Sequence, residues 1–100
     1  MIADQDELTI FQKTPNESRP YGFDYTLYLG TDTLVNGGTW TTSPAGLTIG
    51  ATGFTSTQVS IRLSGGAVGE EYLVTNKTAT VAGNTVERSF IIQVVTTRGK

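Results

Sequence analysis

Thr57-Gln58-Val59-Ser60-Ile61-Arg62-Leu63 decides the fold class. Val59, Ile61 and Leu63 fall on one side of this run, and Gln58, Ser60 and Arg62 on the other. Successive side chains leave opposite faces of an extended strand, so a period of two means one buried face and one wet face. The same signature repeats outward in both directions. Downstream, Ser64-Gly65-Gly66 ends the run, and Glu71 to Ala79 places Tyr72, Val74, Asn76 and Thr78 on one face. Ala82-Gly83-Asn84 turns the chain into a last and longest strand, Val86 to Thr97. Upstream, Phe23, Tyr25, Leu27 and Leu29 share a phase that predicts one strong strand closed by Gly30. Between them, Thr33 to Val35, Thr39 to Thr42 and Leu47 to Ile49 read as short extended pieces. They are separated by Asn36-Gly37-Gly38, Ser43-Pro44-Ala45-Gly46 and a turn over Gly50 to Gly53.

Strands punctuated every 8–12 residues predict an all-β fold: an immunoglobulin-like antiparallel β-sandwich of about seven strands. The expected structural core is Phe23, Tyr25, Leu27, Trp40, Val59, Ile61, Tyr72, Val74, Phe90 and Ile92. Trp40 takes the third-strand position, where such domains place a core Trp. Gly69-Glu70-Glu71-Tyr72 reads as a tyrosine corner, with the hydroxyl returned to nearby backbone. Residues 1–20 are expected to form an extended N-terminal arm, and residues 21–100 the sandwich. The arm carries four of the nine acids (Asp4, Asp6, Glu7 and Glu17) and two of the three prolines, Pro15 and Pro20. Leu8 to Gln12 can form one edge strand, which the prolines prevent from continuing.

The inventory supports the all-β reading and restricts function. Thr occurs 18 times and Gly 12 times in 100 residues, while good helix formers are sparse. No Cys and no His are present, so disulfides, thiolate or imidazole metal sites and His-dependent nucleophile systems are excluded. A formal net charge of −2 offers no basic excess for nucleic acid. No apolar run approaches a membrane span, and the acidic start MIADQDEL is unlike a signal segment.

Candidate chemistry is thin. Glu70 and Glu71 are adjacent and would leave opposite faces of a strand. Asp4, Asp6 and Glu7 lack a Gly-punctuated calcium loop. Gly65-Gly66-Ala67-Val68-Gly69 lacks the Lys-Ser/Thr of a phosphate loop and reads as a connection between strands. Asn16 and Asn76 lie in N-glycosylation tripeptides. Tyr21, Tyr28 and Phe54 have no assigned core partner and are the aromatics open to sugar stacking. No enzyme activity, no cofactor and no metal are expected.

The last strand is more informative. Phe90, Ile92 and Val94 fill one face, yet Ile91 and Val95 place apolar groups on the other, which a two-layer sandwich should leave wet. This predicts that the second face is covered by the arm, by a neighbouring subunit or by another protein. The candidate interface residues are Leu8, Ile10, Phe11, Pro15, Ile91 and Val95.

Residues 11–29, Phe-Gln-Lys-Thr-Pro-Asn-Glu-Ser-Arg-Pro-Tyr-Gly-Phe-Asp-Tyr-Thr-Leu-Tyr-Leu, resemble the opening of the tailed-phage fiber-tail adaptor family. That family shows a Phe-x-Lys-x-Pro segment followed by a Tyr-Gly-Phe-Asp-aromatic strand. Asp32-Thr33-Leu34, Thr39-Trp40-Thr41, Leu63-Ser64-Gly65-Gly66, Gly69 to Asn76 and Val86-Glu87-Arg88-Ser89-Phe90 continue the likeness. It covers about residues 11–98. Tyr25 stands where many members carry Trp, and residues 1–7 are an acidic addition. The resemblance implies an immunoglobulin-like virion protein in the phage tail. Such proteins join tail fibers or spikes to the tail's adaptor or nozzle proteins, in multiple copies around a ring, after assembly in the host cytoplasm. The alternatives are a capsid or tail decoration module and a carbohydrate-binding module.

Overall fold

The protein, seen in a computed structural model that describes residues 9–97, has seven strands and one helical turn. In chain order these are β1 (Ile10–Lys13), β2 (Arg19–Asp24), α1 (Thr26–Leu29), β3 (Thr39–Ser43) and β4 (Leu47–Phe54). The chain continues through β5 (Gln58–Gly65), β6 (Glu71–Ala79) and β7 (Thr85–Val94). One sheet has the order β1-β7-β6-β3 and the other β2-β5-β4. The groupings β7-β6-β3 and β2-β5-β4 correspond to the two sheets of the immunoglobulin sandwich, with the first strand moved beside the last. All pairings are antiparallel except β1 with β7, which run parallel with Ile10 beside Ile91 and Lys13 beside Val94.

The alternation of β5 is read directly by burial: Val59, Ile61 and Leu63 are buried, while Gln58, Ser60 and Arg62 are exposed. Tyr72, Val74, Phe90, Ile92 and Val94 meet them from the other sheet. Rings of Phe11, Tyr21, Phe90, Phe23 and Trp40 form a chain of contacts across the layer, with centroid separations of 5.2 to 5.9 Å. Gly38 is required by its surroundings. Its φ is 74°, and a Cβ there would lie 2.4 Å from the Lys77 carbonyl oxygen.

Two sequence expectations are corrected. Leu27 is not in the core, and Phe23, Tyr25, Leu27 and Leu29 do not share a strand. Pairing with β5 ends at Asp24, whose carboxylate accepts from the Thr26 backbone N–H at 2.9 Å and from the Thr26 hydroxyl at 2.5 Å. This local side-chain competition turns the chain into α1, where Leu29 N–H donates to the Tyr25 carbonyl at 3.0 Å. The period changes from two to about 3.6, so Tyr25 and Leu29 are buried together and Leu27 is 85% exposed.

The second correction concerns the turn expected over Gly50 to Gly53. β4 runs through it, and the register moves from Ile49 opposite Leu63 to Thr52 opposite Ile61. Gly50 and Ala51 together oppose one residue of β5, a bulge that reverses the side-chain phase within a single strand. β2 also runs across the arm–sandwich boundary expected at residue 20.

Candidate functional site

The outer face of the four-stranded sheet carries an apolar row that strand register builds. Tyr72 and Val74 point inward, so Leu73 between them points out and is 39% exposed. Leu73 lies opposite Ile91, and Ile91 lies beside Ile10, which is 57% exposed. The result is an apolar row, Ile10–Ile91–Leu73, crossing three strands. A polar ladder borders it: Gln12 Nε2 donates to Gln93 Oε1 at 3.0 Å, and Gln93 Nε2 donates to Glu71 Oε2 at 3.2 Å. On its other side the Thr75 and Ser89 hydroxyls are 2.7 Å apart.

Further along the same face, Asn36, Thr39, Thr41, Thr75, Lys77, Ala79, Thr85 and Glu87 line an open, hydroxyl-rich depression. Beyond it Leu34 bridges Thr80, with both side chains inward, and Val35 and Val81 are 52% and 68% exposed. Polar saddle and apolar ends alternate along one face over about 20 Å, from six residues of strand rise.

The arm side of this surface is anchored by Lys13. Its side chain is fully buried, and Nζ donates to the carbonyl of Thr14 at 2.8 Å and to that of Gly65. Burial lowers the ammonium pKa below the ordinary lysine value, and the nearby Glu17 carboxylate opposes that shift. Glu17 itself accepts from the Thr14 backbone N–H at 2.9 Å, which closes the connection between β1 and β2. β1 then continues the sheet, with Ile91 N–H donating to Thr9 and Val95 N–H to Lys13. The Phe-x-Lys-x-Pro segment thus has a physical reading. Phe11 packs on Tyr21 and Phe90, Lys13 fills and caps an interior site, and Pro15 is half-buried in the connection.

The opposite end is held by neutral and acidic groups. The Tyr25 hydroxyl donates to Asn76 Oδ1 at 2.9 Å, and Asn76 Nδ2 donates to the Gly37 carbonyl at 2.9 Å. Burial raises the Tyr25 pKa well above its usual value. The Asp32 carboxylate is lowered first by its bond to the Thr80 side chain. Asp32 also accepts from the backbone N–H groups of Thr33 at 2.9 Å and Ala82 at 3.0 Å, fastening the β6–β7 hairpin. Arg88, on the inner face of β7, lies 5.2 Å from the Phe23 ring centre and 5.7 Å from that of Tyr28.

Of the expected interface residues, the structure brings Ile10 and Ile91 together on the outer face. Phe11, 38% exposed, turns its ring to Tyr21 and Phe90. Val95 is half-buried just past β7, Pro15 sits away from the apolar row, and Leu8 lies outside the described residues. Among the expected core residues Trp40 is only half-buried, because β3 is an edge strand; it stacks on Phe23 at 5.9 Å.

Sequence reasoning missed Leu73, Val35 and Val81, although Leu73 carries the same signal as Ile91: an apolar residue in the wet phase of its strand. It also missed the buried Lys13, which no pattern marks.

The other candidates take structural places. Gly65 accepts from Lys13, and Ala67 N–H donates to the Tyr72 hydroxyl at 2.9 Å, five residues upstream as in a tyrosine corner. Asn76 is fully buried, so its glycosylation tripeptide is inaccessible in the fold. Tyr21 and Tyr28 make ring contacts inside the protein, whereas Phe54 is 50% exposed. Among the described residues no group of acids is placed to hold a metal ion, and no helix is long and apolar enough to cross a membrane.

Residues 13–93 match the model of a protein family described as podophage GP4 fiber-tail adaptor protein gp77. No curated protein gives a match.

Proposed function

The chain belongs to the podophage fiber-tail adaptor family, and on that premise we propose that it joins tail fibers or spikes to the phage tail, by contact and without catalysis. It does so in multiple copies around the tail, after assembly in the host cytoplasm. The observation that carries this reading is the Ile10–Ile91–Leu73 row, an apolar stripe on a sheet face that an isolated sandwich would keep polar. Its polar borders suit an interface with an apolar centre and a hydrogen-bonding rim. Residues ahead of β2 lie along the same partner as an arm, with Leu8, Ile10 and Pro15 on the arm and Ile91 and Val95 beside it. Phe11 keeps β1 seated under that contact.

Phage carrying Ile91→Asp tests the reading. Ile91 is half-buried on the outer face and lies outside the buried core, so the isolated variant is expected to fold with a lowered melting temperature, which thermal unfolding checks before particles are scored. Purified particles are expected to lose most of the adaptor or its fibers, scored by gel densitometry and electron microscopy. Particles with normal adaptor and fiber content would overturn this contact face.

A further inference from the structure

Four strands lie at sheet edges, β1 and β3 in one sheet and β2 and β4 in the other. An edge presents unpaired N–H and C=O groups, and proteins blunt edges with prolines, charges, bulges or very short strands. β2 carries Pro20 and Gly22, and β4 carries the bulge between Ile49 and Thr52. β1 is four residues long, and its Lys13 carbonyl and that of the preceding Thr9 already face the β7 side. β3, Thr39-Trp40-Thr41-Thr42-Ser43, has none of these devices within it. It holds no charge, no proline and no bulge, and three of its five residues are β-branched threonines that favour pairing. Outside its ladder with β6, no residue of β3 takes part in a backbone hydrogen bond among the described residues. Pro44 ends the strand but stands outside it.

A second observation lies on the same strand. Trp40, the single Trp of the chain, is only half-buried, and its indole N–H is enclosed without a hydrogen-bond partner among the described residues. A strand laid beside β3 would cover the part of the ring left exposed.

We propose that the open edge of β3 binds β3 of a second copy of this chain, antiparallel, with Thr41 on the two-fold axis. The strand's own chemistry selects this occupant. In that register Trp40 faces Thr42 of the second copy and Thr39 faces Ser43, so the inner-face indole meets a hydroxyl. The outer-face hydroxyls meet one another. No charge opposes its like, and the two four-stranded sheets join into one. The Ile10–Ile91–Leu73 rows then stand on one continuous surface, two strands or more from the axis on either side. This self-pairing is independent of the adaptor role, because it concerns the protein alone.

The absence of cysteine allows a direct test. In an antiparallel pair, residues facing each other on the axis have Cα atoms about 4.5–5.5 Å apart, within the range a disulfide spans. Thr41→Cys is therefore expected to form a covalent dimer under mild oxidation, whereas Gln12→Cys on the β1 edge remains monomeric. In the unmodified protein, Trp40 emission shifts to shorter wavelength as concentration rises, in step with dimer formation by sedimentation. Thr41→Lys, which sets like charges across the axis, raises the dimer Kd about tenfold or more while melting of the monomer is unchanged. The proposal fails if the wild type sediments as a monomer with concentration-independent Trp40 emission. It also fails if Thr41→Cys cross-links no faster than Gln12→Cys, or if the two variants cross-link to each other in mixtures, which marks a head-to-tail contact.

Discussion

Lys13 and Asn76 are both fully buried polar side chains, at opposite ends of the sandwich, and they stabilise it by different means. Lys13 holds a charge in the interior, so its ammonium must be compensated by the Thr14 and Gly65 carbonyls and by the nearby Glu17. Asn76 is neutral and links two partners in series, accepting from Tyr25 and donating to Gly37. A buried cation requires a built cage but also supplies a long apolar stem that fills space. A buried amide fills little, and what it contributes lies almost entirely in its bonds. The two ends should therefore respond differently to the same kind of substitution.

The largest expected effect separates stem from charge at Lys13. Lys13→Ala, which leaves a cavity and strands the Gly65 carbonyl, is expected to lose about 3 kcal/mol in denaturant unfolding. Lys13→Met keeps the stem and removes the desolvated charge, so it should remain within ~1 kcal/mol of wild type. Equal losses in both variants would mean that the ammonium bonds, and not the packing, hold β1 in place. At the other end no such rescue is expected. Asn76→Ala strands the Gly37 carbonyl and leaves the Tyr25 hydroxyl only the backbone carbonyl of residue 76 at 3.3 Å, for a loss of about 2 kcal/mol, and Asn76→Leu should recover none of it.

Alkaline titration sharpens the contrast by sign. Lys13 has a lowered pKa, so between that value and 10.5 the unfolded chain binds more protons, and stability rises with pH. Tyr25 has a raised pKa, so above 10.0 the folded chain binds more protons, and stability falls with pH. Unfolding measured from neutral pH upward should show a rise followed by a decline. Lys13→Met should remove the first and Tyr25→Phe the second. The smallest effect belongs to the exposed end. Asp24 and Asp32 are held below the ordinary carboxylate range by hydrogen bonds, so their contribution is lost as pH falls through those lowered values. Asp32→Asn should flatten part of that acid limb by lowering stability at neutral pH, by the same small contribution that acid removes from the wild type.

Legibility in the sequence followed the scale of the physics involved. β5 and β6 were readable because burial on one face imposes a period that nothing nearby opposes. The phase of Leu27 is not legible in the period because Asp24 satisfies Thr26 locally, a competition over two residues that interrupts a period counted over seven. Gly50 to Gly53 reads as a turn in the sequence because glycine permits both turn and bulge, and only the facing strand decides which one forms. In the candidate site, Ile91 announced itself by standing in the wrong phase. Its neighbours Ile10 and Leu73 could not be joined to it, since the chain places them 81 and 18 residues away and only register makes them adjacent.

Composition and alternation alone determined an all-β sandwich without thiol or imidazole chemistry, and the order of short motifs pointed to the phage adaptor family. These are properties of residue type and near spacing, which a single chain carries by itself. The tertiary structure decided the rest. It set β1 parallel to β7, buried Lys13 against Gly65, assembled the apolar row on the outer face and left β3 open at its edge. Each depends on contacts between residues distant in the chain, where the energy of pairing and burial overrides local preference.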